Sequence, residues 1–145
     1  MAIDKSGKFW IGSNPQDLRE YLLAFSEEGY PIGDFRLATC ECGSSEFRVA
    51  ADPNEGAARR TCAKCKKVRF ICDSGEYWEE AEPEKWKCLC KSNTANVGVG
   101  FALREGKQDI KWLYVGIRCA KCGMFGCFAD WKIDYSPSLQ LTEQV

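Results

Sequence analysis

The segment between residues 40 and 65 starts with Cys40-Glu-Cys42 and ends with Cys62-Ala-Lys-Cys65, and the pattern recurs as Cys88-Leu-Cys90 and Cys119-Ala-Lys-Cys122. Each set offers four thiolates, which is the number that closes one tetrahedral metal site. Zn²⁺ favours such all-sulfur cages where its role is structural. Because a closed cage leaves no position for a substrate, the two sets predict two structural zinc ions per chain rather than a catalytic metal.

Length and composition are those of an ordinary globular protein. The chain has 145 residues, of which 45% are hydrophobic and 28% charged, so we expect one domain or two very small ones. No apolar run reaches the ~20 residues of a membrane-spanning helix, and no membrane partner is expected. The N-terminal sequence lacks the apolar region of a secretory signal, which predicts a cytoplasmic location.

The expected compartment bears on the chemistry of the cysteines. In the reducing cytoplasm, closely spaced cysteines bind metal more often than they form disulfides. If the chain were exported, its ten cysteines would instead allow five bridges. Iron is a second alternative to zinc, because it also accepts four thiolates in a rubredoxin-like or iron–sulfur site.

Two features of the sequence argue against an enzyme. The chain contains no histidine, which is the commonest general base and catalytic metal ligand. It also lacks a glycine-rich phosphate loop, since Gly98 and Gly100 lie in a strand pattern and precede no helix. We therefore expect a protein without catalytic residues.

The cysteine motifs divide the chain into four segments. These are an N-terminal helical segment at 1–37, a first metal unit at 38–83, a second metal unit at 84–135 and a C-terminal tail at 136–145. The two units align without gaps from Cys62 and Cys119 onward, with Asp73 on Asp130, which predicts an internal repeat. The acids of this pair are most simply turn or capping residues after the last strand of each unit.

A β-hairpin is predicted between the two motifs of the second unit. One strand alternates apolar side chains on one face, at Val97, Val99, Phe101 and Leu103. Residues 104–109 have turn chemistry, and the return strand is rich in β-formers at Trp112, Tyr114 and Ile117. The first unit has a shorter version, and each unit ends in a third strand after its second motif.

An amphipathic helix is predicted near the N-terminus. Asn14 can cap it and Pro15 suits its first position. Apolar side chains then recur at helical spacing, at Leu18, Tyr21, Leu22 and Phe25. We expect this helix to cover the first metal unit, because small metal units leave apolar surface exposed, and the alternative is a helix that binds a partner. A short helix after Ser136-Pro137 is also expected.

Two short cysteine motifs joined by a hairpin, with a third strand beyond, resemble the zinc-ribbon family. The resemblance covers residues 38–135, and Cys42-Gly43-Ser44 followed by Glu46-Phe47 is similar to the first motif of many ribbons. Both first motifs are CxC, where the family more often has CxxC. The resemblance implies a small, metal-stabilised, mainly β fold with two zinc ribbons in tandem behind an N-terminal amphipathic helix. It implies bound zinc and no single function, because ribbons bind nucleic acids, dock proteins or serve only as braces.

The two remaining cysteines fall outside the motifs. Cys72 and Cys127 replace apolar residues in the aligned strands and are interpreted as buried core thiols. A redox pair or a reactive thiol is the alternative, and it would need surroundings that stabilise a thiolate.

Two kinds of partner fit the surface chemistry of the sequence. A protein partner is expected first, since the net charge is −1 and the apolar segment Gly123-Met-Phe-Gly126 suits docking unless the helix buries it. Nucleic acid is the alternative, through a basic cluster with Phe70, Tyr77 and Trp78 nearby to stack on bases. That cluster comprises Arg59, Arg60, Lys64, Lys66, Lys67 and Arg69, and a run of glutamates follows it.

Overall fold

The computed structural model of the chain describes residues 4, 10–12, 14–27, 29–72, 74–103, 109–133 and 138–145. These residues form a mainly β protein, in which one antiparallel sheet carries a short N-terminal helix and two cysteine clusters. Strands follow the order β4-β3-β2-β6-β7-β8, while β1 pairs with β6 and β5 pairs with β2. The fold class expected from the sequence is thereby confirmed.

Each unit contributes three strands to the sheet, with its cysteine motifs at the strand ends. The first unit consists of β2 (Phe47–Asp52), β3 (Ala57–Cys62) and β4 (Val68–Phe70). The second unit consists of β6 (Ala95–Leu103), β7 (Ile110–Cys119) and β8 (Phe125–Lys132), so its hairpin is longer, as predicted. The turn expected at 104–109 falls almost entirely outside the described residues.

Two short strands that the sequence did not predict connect the units crosswise. β1 (Asp34–Leu37) precedes the first cysteine of the first unit but pairs with β6 of the second, and β5 (Glu84–Lys85) precedes the first cysteine of the second unit but pairs with β2 of the first. Leu37 lies opposite Gly98, and Lys85 lies opposite Ala50. Both pairs join a residue three before the first cysteine of one unit to a residue eight after the second cysteine of the other.

The helix packs on the second unit, and the expectation that it covers the first unit is wrong. α1 (Leu18–Ser26) contacts β6, β7 and β8. A Cβ added at Gly98 would lie 2.5 Å from the Phe35 ring, and one at Gly116 would lie 2.9 Å from Leu22. Glycines in these strands therefore leave a recess that receives side chains of the helix and of β1, whereas the first unit carries larger residues at the equivalent positions.

The helix begins as the sequence predicted. The Asn14 side chain accepts a hydrogen bond from the Gln16 N–H, and Pro15 opens a 3₁₀ turn (Pro15–Asp17) that leads into α1. Leu18 and Leu22 are fully buried. The polypeptide then leaves the helix through Gly29, whose N–H donates to the Ser26 carbonyl.

The opposite face of the sheet forms the main core, to which both units contribute. Phe47 and Val49 of the first unit pack in the same cluster as Val97 and Phe101 of the second. The C-terminal residues close this core through a 3₁₀ helix (Leu139–Glu143), whose Leu141 is buried. This helix confirms that the tail ends in a short helical segment, although residues 134–137 lie outside the described part of the chain.

The segment boundaries at 1–37, 38–83, 84–135 and 136–145 stay a prediction. Among the described residues, the helices are all too short to cross a lipid bilayer.

Truncation of Leu22 tests the docking of the helix. Because Leu22 is fully buried above Gly116, Leu22→Ala should lower the free energy of unfolding by about 2–5 kcal/mol in urea denaturation. Leu23→Ala is the matched control, because this side chain of the same helix is 40% exposed and its loss should change stability by less than about 0.5 kcal/mol. Equal effects of the two substitutions would contradict the docking described here.

Candidate metal centres

The structure brings the eight predicted cysteines together in two quartets. In each quartet the four Sγ atoms lie within 4.8 Å of one another, and one member of each motif is buried while the other is more exposed. The first quartet is Cys40, Cys42, Cys62 and Cys65, and the second is Cys88, Cys90, Cys119 and Cys122. The two groups could each hold one metal ion, which agrees with the expected stoichiometry.

The sulfur–sulfur distances fit metal coordination and exclude disulfides. Sγ atoms of Cys40 and Cys65 are 3.5 Å apart, and those of Cys90 and Cys119 are 3.6 Å apart. A tetrahedral zinc with Zn–S bonds of about 2.3 Å requires sulfurs about 3.8 Å apart. A disulfide requires about 2.05 Å, and all ten cysteines are free thiols. Small outward shifts of the side chains would complete either cage.

The first motif of each quartet is a tight turn closed by backbone hydrogen bonds. The Cys40 N–H donates to the Ser44 carbonyl, and the Cys88 N–H donates to the Ser92 carbonyl. The residue after the second cysteine has a positive φ in both turns, +92° at Gly43 and +76° at Lys91. Gly43 adopts this conformation without strain, whereas Lys91 must be held in it by the turn.

The second motif directs a backbone N–H at a sulfur. The Cys65 N–H donates to Cys62 Sγ at 3.4 Å, and the Cys122 N–H donates to Cys119 Sγ at 3.5 Å. Lys66 and Gly123 follow with φ of +69° and +80°. The CxxC spacing thus supplies the amide donors that accompany a thiolate ligand.

These donors favour the thiolate, which is the form that binds a metal. The Cys65 N–H lowers the pKa of the Cys62 thiol to about 6. Burial raises the pKa of Cys119, but the N–H groups of Cys122 and Lys121 lower it to about 6. One sulfur of each quartet is thereby prepared to ionise near neutral pH.

A buried arginine distinguishes the first quartet from the second. Arg60 is 3% exposed, its guanidinium lies 4.5 Å above the Phe47 ring, and it donates to the main-chain oxygen of Val145. Burial and the Arg69 guanidinium lower the pKa of Arg60, while the sulfurs of Cys40 and Cys62 oppose this shift. Four thiolates around a divalent ion carry a net charge of −2, which a nearby buried cation offsets.

The two cysteines outside the quartets pack against apolar clusters, as predicted. Cys72 is buried in the main core and donates to the Leu141 carbonyl. Cys127 packs beside the cluster under α1, and burial raises the pKa of its thiol to about 12. At neutral pH Cys127 is therefore a protonated thiol, which does not fit the alternative of a reactive thiolate.

The basic cluster expected between residues 59 and 69 is not one surface, so that prediction is wrong in this respect. Arg60 is buried, and Arg69 faces the same side of the sheet as Arg60. Lys67 forms a salt bridge with Glu41 at the edge of the first quartet. Only Arg59 among the cluster's arginines faces the outer side, where it stacks on Trp78 at 4.8 Å.

Two other candidate features have structural roles. Phe125, in the apolar segment proposed for docking, is 2% exposed and stacks on Tyr21 of the helix at 5.6 Å. Asp130 lies within β8 rather than after it, and accepts a hydrogen bond from Trp112 Nε1 at 2.9 Å. Its aligned partner Asp73 is outside the described residues.

The outer side of the first unit carries a group of residues that sequence analysis missed. A hollow of about 260 Å³, called the basic hollow below, is lined by Arg48, Arg59, Thr61, Lys85, Trp86 and Asn93. These residues come from β2, β3, β5 and the segments on either side of the motif Cys88-Leu-Cys90, so no linear cluster marks them. The signal that could have predicted this face is that Arg48 and Arg59 each lie between two residues that point to the opposite, buried face of their strand.

Comparison with known proteins gives no family: no family model, curated protein or solved structure matches the chain.

Serine substitutions test which cysteines hold metal. Cys65→Ser and Cys122→Ser should each reduce the bound metal from two equivalents to one, because each removes one sulfur of a different quartet. Cys127→Ala is the control and should retain both equivalents, since its thiol lies outside the quartets. Metal content would be measured by elemental analysis after gel filtration, and loss of a metal from the control variant would contradict the assignment.

Proposed function

We propose that the chain is a zinc-binding, non-enzymatic interaction module built from two zinc-ribbon-like units in tandem. Each quartet holds one structural zinc ion. The ions brace a sheet whose outer face is available to a partner. The observation that carries this proposal is the pair of closed sulfur quartets, with Sγ contacts of 3.5 to 3.6 Å.

Several matching contacts support the interpretation of the units as copies of one repeat. The Ala63 N–H donates to the Glu46 carbonyl in the first unit, and the Ala120 N–H donates to the Thr94 carbonyl in the second. Both pairs join the residue after the third cysteine to the residue four after the second cysteine. β1 and β5 also pair with the other unit at positions that are equivalent when counted from the cysteines.

A structural role for zinc follows from where the quartets lie. The first cysteine motif of each unit precedes its hairpin and the second joins the hairpin to its last strand. A zinc ion therefore links the segment before the hairpin to the turn that follows it. Binding of structural zinc contributes on the order of 10 kcal/mol to the folded state of small zinc domains.

The expectation of a protein partner has lost its most specific support, because the segment around Phe125 is covered by the helix. The basic hollow is lined by three cations and no carboxylate, and this favours an anionic partner. We retain the general function of a binding module, since four sulfur ligands leave zinc no open position for chemistry.

Elemental analysis tests the identity of the metal. Protein purified without chelator should contain two zinc ions per chain, because closed tetrathiolate cages suit structural Zn²⁺. Samples from zinc-supplemented and iron-supplemented cultures should be compared, with the absorption spectrum recorded for each. Iron at two equivalents in both samples, or no metal in folded protein, would refute the zinc proposal.

Loss of one zinc should loosen both units, because each unit borrows a strand from the other. In Cys65→Ser, amide hydrogen exchange should accelerate in β6 and β1 as well as in β2–β4. Cys72→Ala should not alter exchange in this pattern, because its thiol is not part of a quartet. Exchange that accelerates only in β2–β4 would show that the units are independent.

A further inference from the structure

We infer that the outer face of the first unit binds single-stranded nucleic acid, with the basic hollow as its centre. This inference rests on the proposed function of a binding module and names the class of partner. It is distinct from the sequence-based cluster, because Arg48, Lys85 and Trp86 belong to the hollow and Arg60 does not.

The hollow has small side chains at its centre and long ones at its rim. Lys85, Ala50, Arg59 and Phe70 lie in one row across β5, β2, β3 and β4. Strand spacing of about 4.8 Å makes this row about 14 Å long. Arg48 and Thr61 stand in the neighbouring row. The small residues Ala50 and Thr61 form the floor, so that a flat group can enter between the basic side chains.

The face of the second unit that corresponds to the hollow is covered by the helix α1. Counted from the cysteines of each unit, Ala50 corresponds to Gly98 and Arg59 corresponds to Gly116. In the second unit these positions receive side chains from α1 and its neighbourhood. In the first unit, long basic side chains occupy the equivalent face, and among the described residues α1 packs on the strands of the second unit instead. A 3₁₀ turn (Trp78–Glu80) reaches one end of this face, where Trp78 stacks on Arg59. This difference fits a face reserved for an external ligand.

The charge of the hollow favours an anion. Arg48, Arg59 and Lys85 line it, no carboxylate does, and none of the three cations forms a salt bridge within the described part of the chain. Of the glutamates that follow in sequence, Glu82 and Glu84 line a separate hollow beside Phe128. Arg48 and Lys85 are exposed, and Arg59 is half-buried against Trp78. Three cations on one face without carboxylate partners are a site for phosphate groups.

Aromatic side chains flank the cations. Trp86 is half-buried in the wall of the hollow. On the other side of Arg59, the rings of Phe70 and Trp78 lie 5.4 Å apart, and Phe70 is 37% exposed. Indole and phenyl groups beside cations provide the stacking surfaces and phosphate contacts that single strands use. An acidic peptide would pair with the cations but would leave the aromatic surfaces without a flat partner.

The geometry favours a single strand over a duplex. Bases in a duplex are stacked on one another and cannot enter a recess, whereas unpaired bases can stack on aromatic side chains. The net charge of −1 also gives the chain no broad positive surface for a duplex backbone. Asn93 at the rim adds a donor and an acceptor for a base edge.

The inference is tested with the zinc-loaded full chain and fluorescein-labelled strands on the order of 12 nucleotides, which is within the size range of single-strand sites. Fluorescence anisotropy would be recorded with a mixed-sequence single strand, the same sequence as a duplex, and a glutamate-rich peptide. The single strand should bind most tightly. With three phosphate contacts, log Kd should rise with log salt with a slope of about 2.

Two variants with a matched control each locate the site. Lys85→Gln should lower the salt slope by about 0.7, whereas Arg19→Gln, an exposed charge on α1, should leave it unchanged. Trp86→Ala should weaken binding roughly 5- to 150-fold through lost stacking, whereas Phe25→Ala, an aromatic 49% exposed on α1, should not. Zinc content and thermal midpoint are measured for every variant, and Lys85→Gln decides the matter if Trp86→Ala fails to fold.

The outcomes separate this inference from the proposed function. If the protein holds two zinc ions but binds no single strand, or binds the duplex or peptide more tightly, the inference is wrong and the zinc module stands. Equal loss of affinity in Lys85→Gln and Arg19→Gln would also overturn it. Absence of zinc from folded protein would refute the proposed function itself.

Discussion

In each unit four sulfur atoms lie within 4.8 Å of one another, and this constraint fixes the positions of the strands and turns next to them. The two motifs of a quartet lie at opposite ends of a hairpin, so their approach fixes where the hairpin starts and where the third strand leaves it. The backbone of each motif is shaped by its own hydrogen bonds and by residues of positive φ. Each quartet, shaped in this way, could hold one metal ion.

The crosswise pairing of β1 and β5 follows from that closure. The first strand of each hairpin, β2 or β6, has one edge that its hairpin partner leaves open. The short strand before the other unit's first cysteine pairs antiparallel with that edge and satisfies backbone groups that would otherwise be unpaired. Two units of this kind complete each other, and their inner faces form one core. Stability is therefore shared between them.

Motif spacing predicted more of this molecule than side-chain patterns did. The quartets, the longer second hairpin and the helix start could be predicted, because each depends on residues close in sequence. The position of the helix on the second unit could not be predicted, because it depends on a recess over Gly98 and Gly116 that forms only when β6 and β7 pair. β1 and β5 are too short to show an alternating pattern. The basic cluster was misjudged because neighbouring residues on a strand, such as Arg59 and Arg60, point to opposite faces.

Equivalent faces of the two units have different surroundings, and their composition explains the difference. In the second unit, glycine at two paired positions lets Leu22 approach the backbone, and the helix removes that face from solvent. In the first unit, the same positions carry alanine and arginine, which keep a helix at a distance and place cations around a shallow floor. The inner faces have no such freedom, since both are needed in the common core. The outer faces can therefore differ in composition between the units while the cysteine quartets and the common core stay the same.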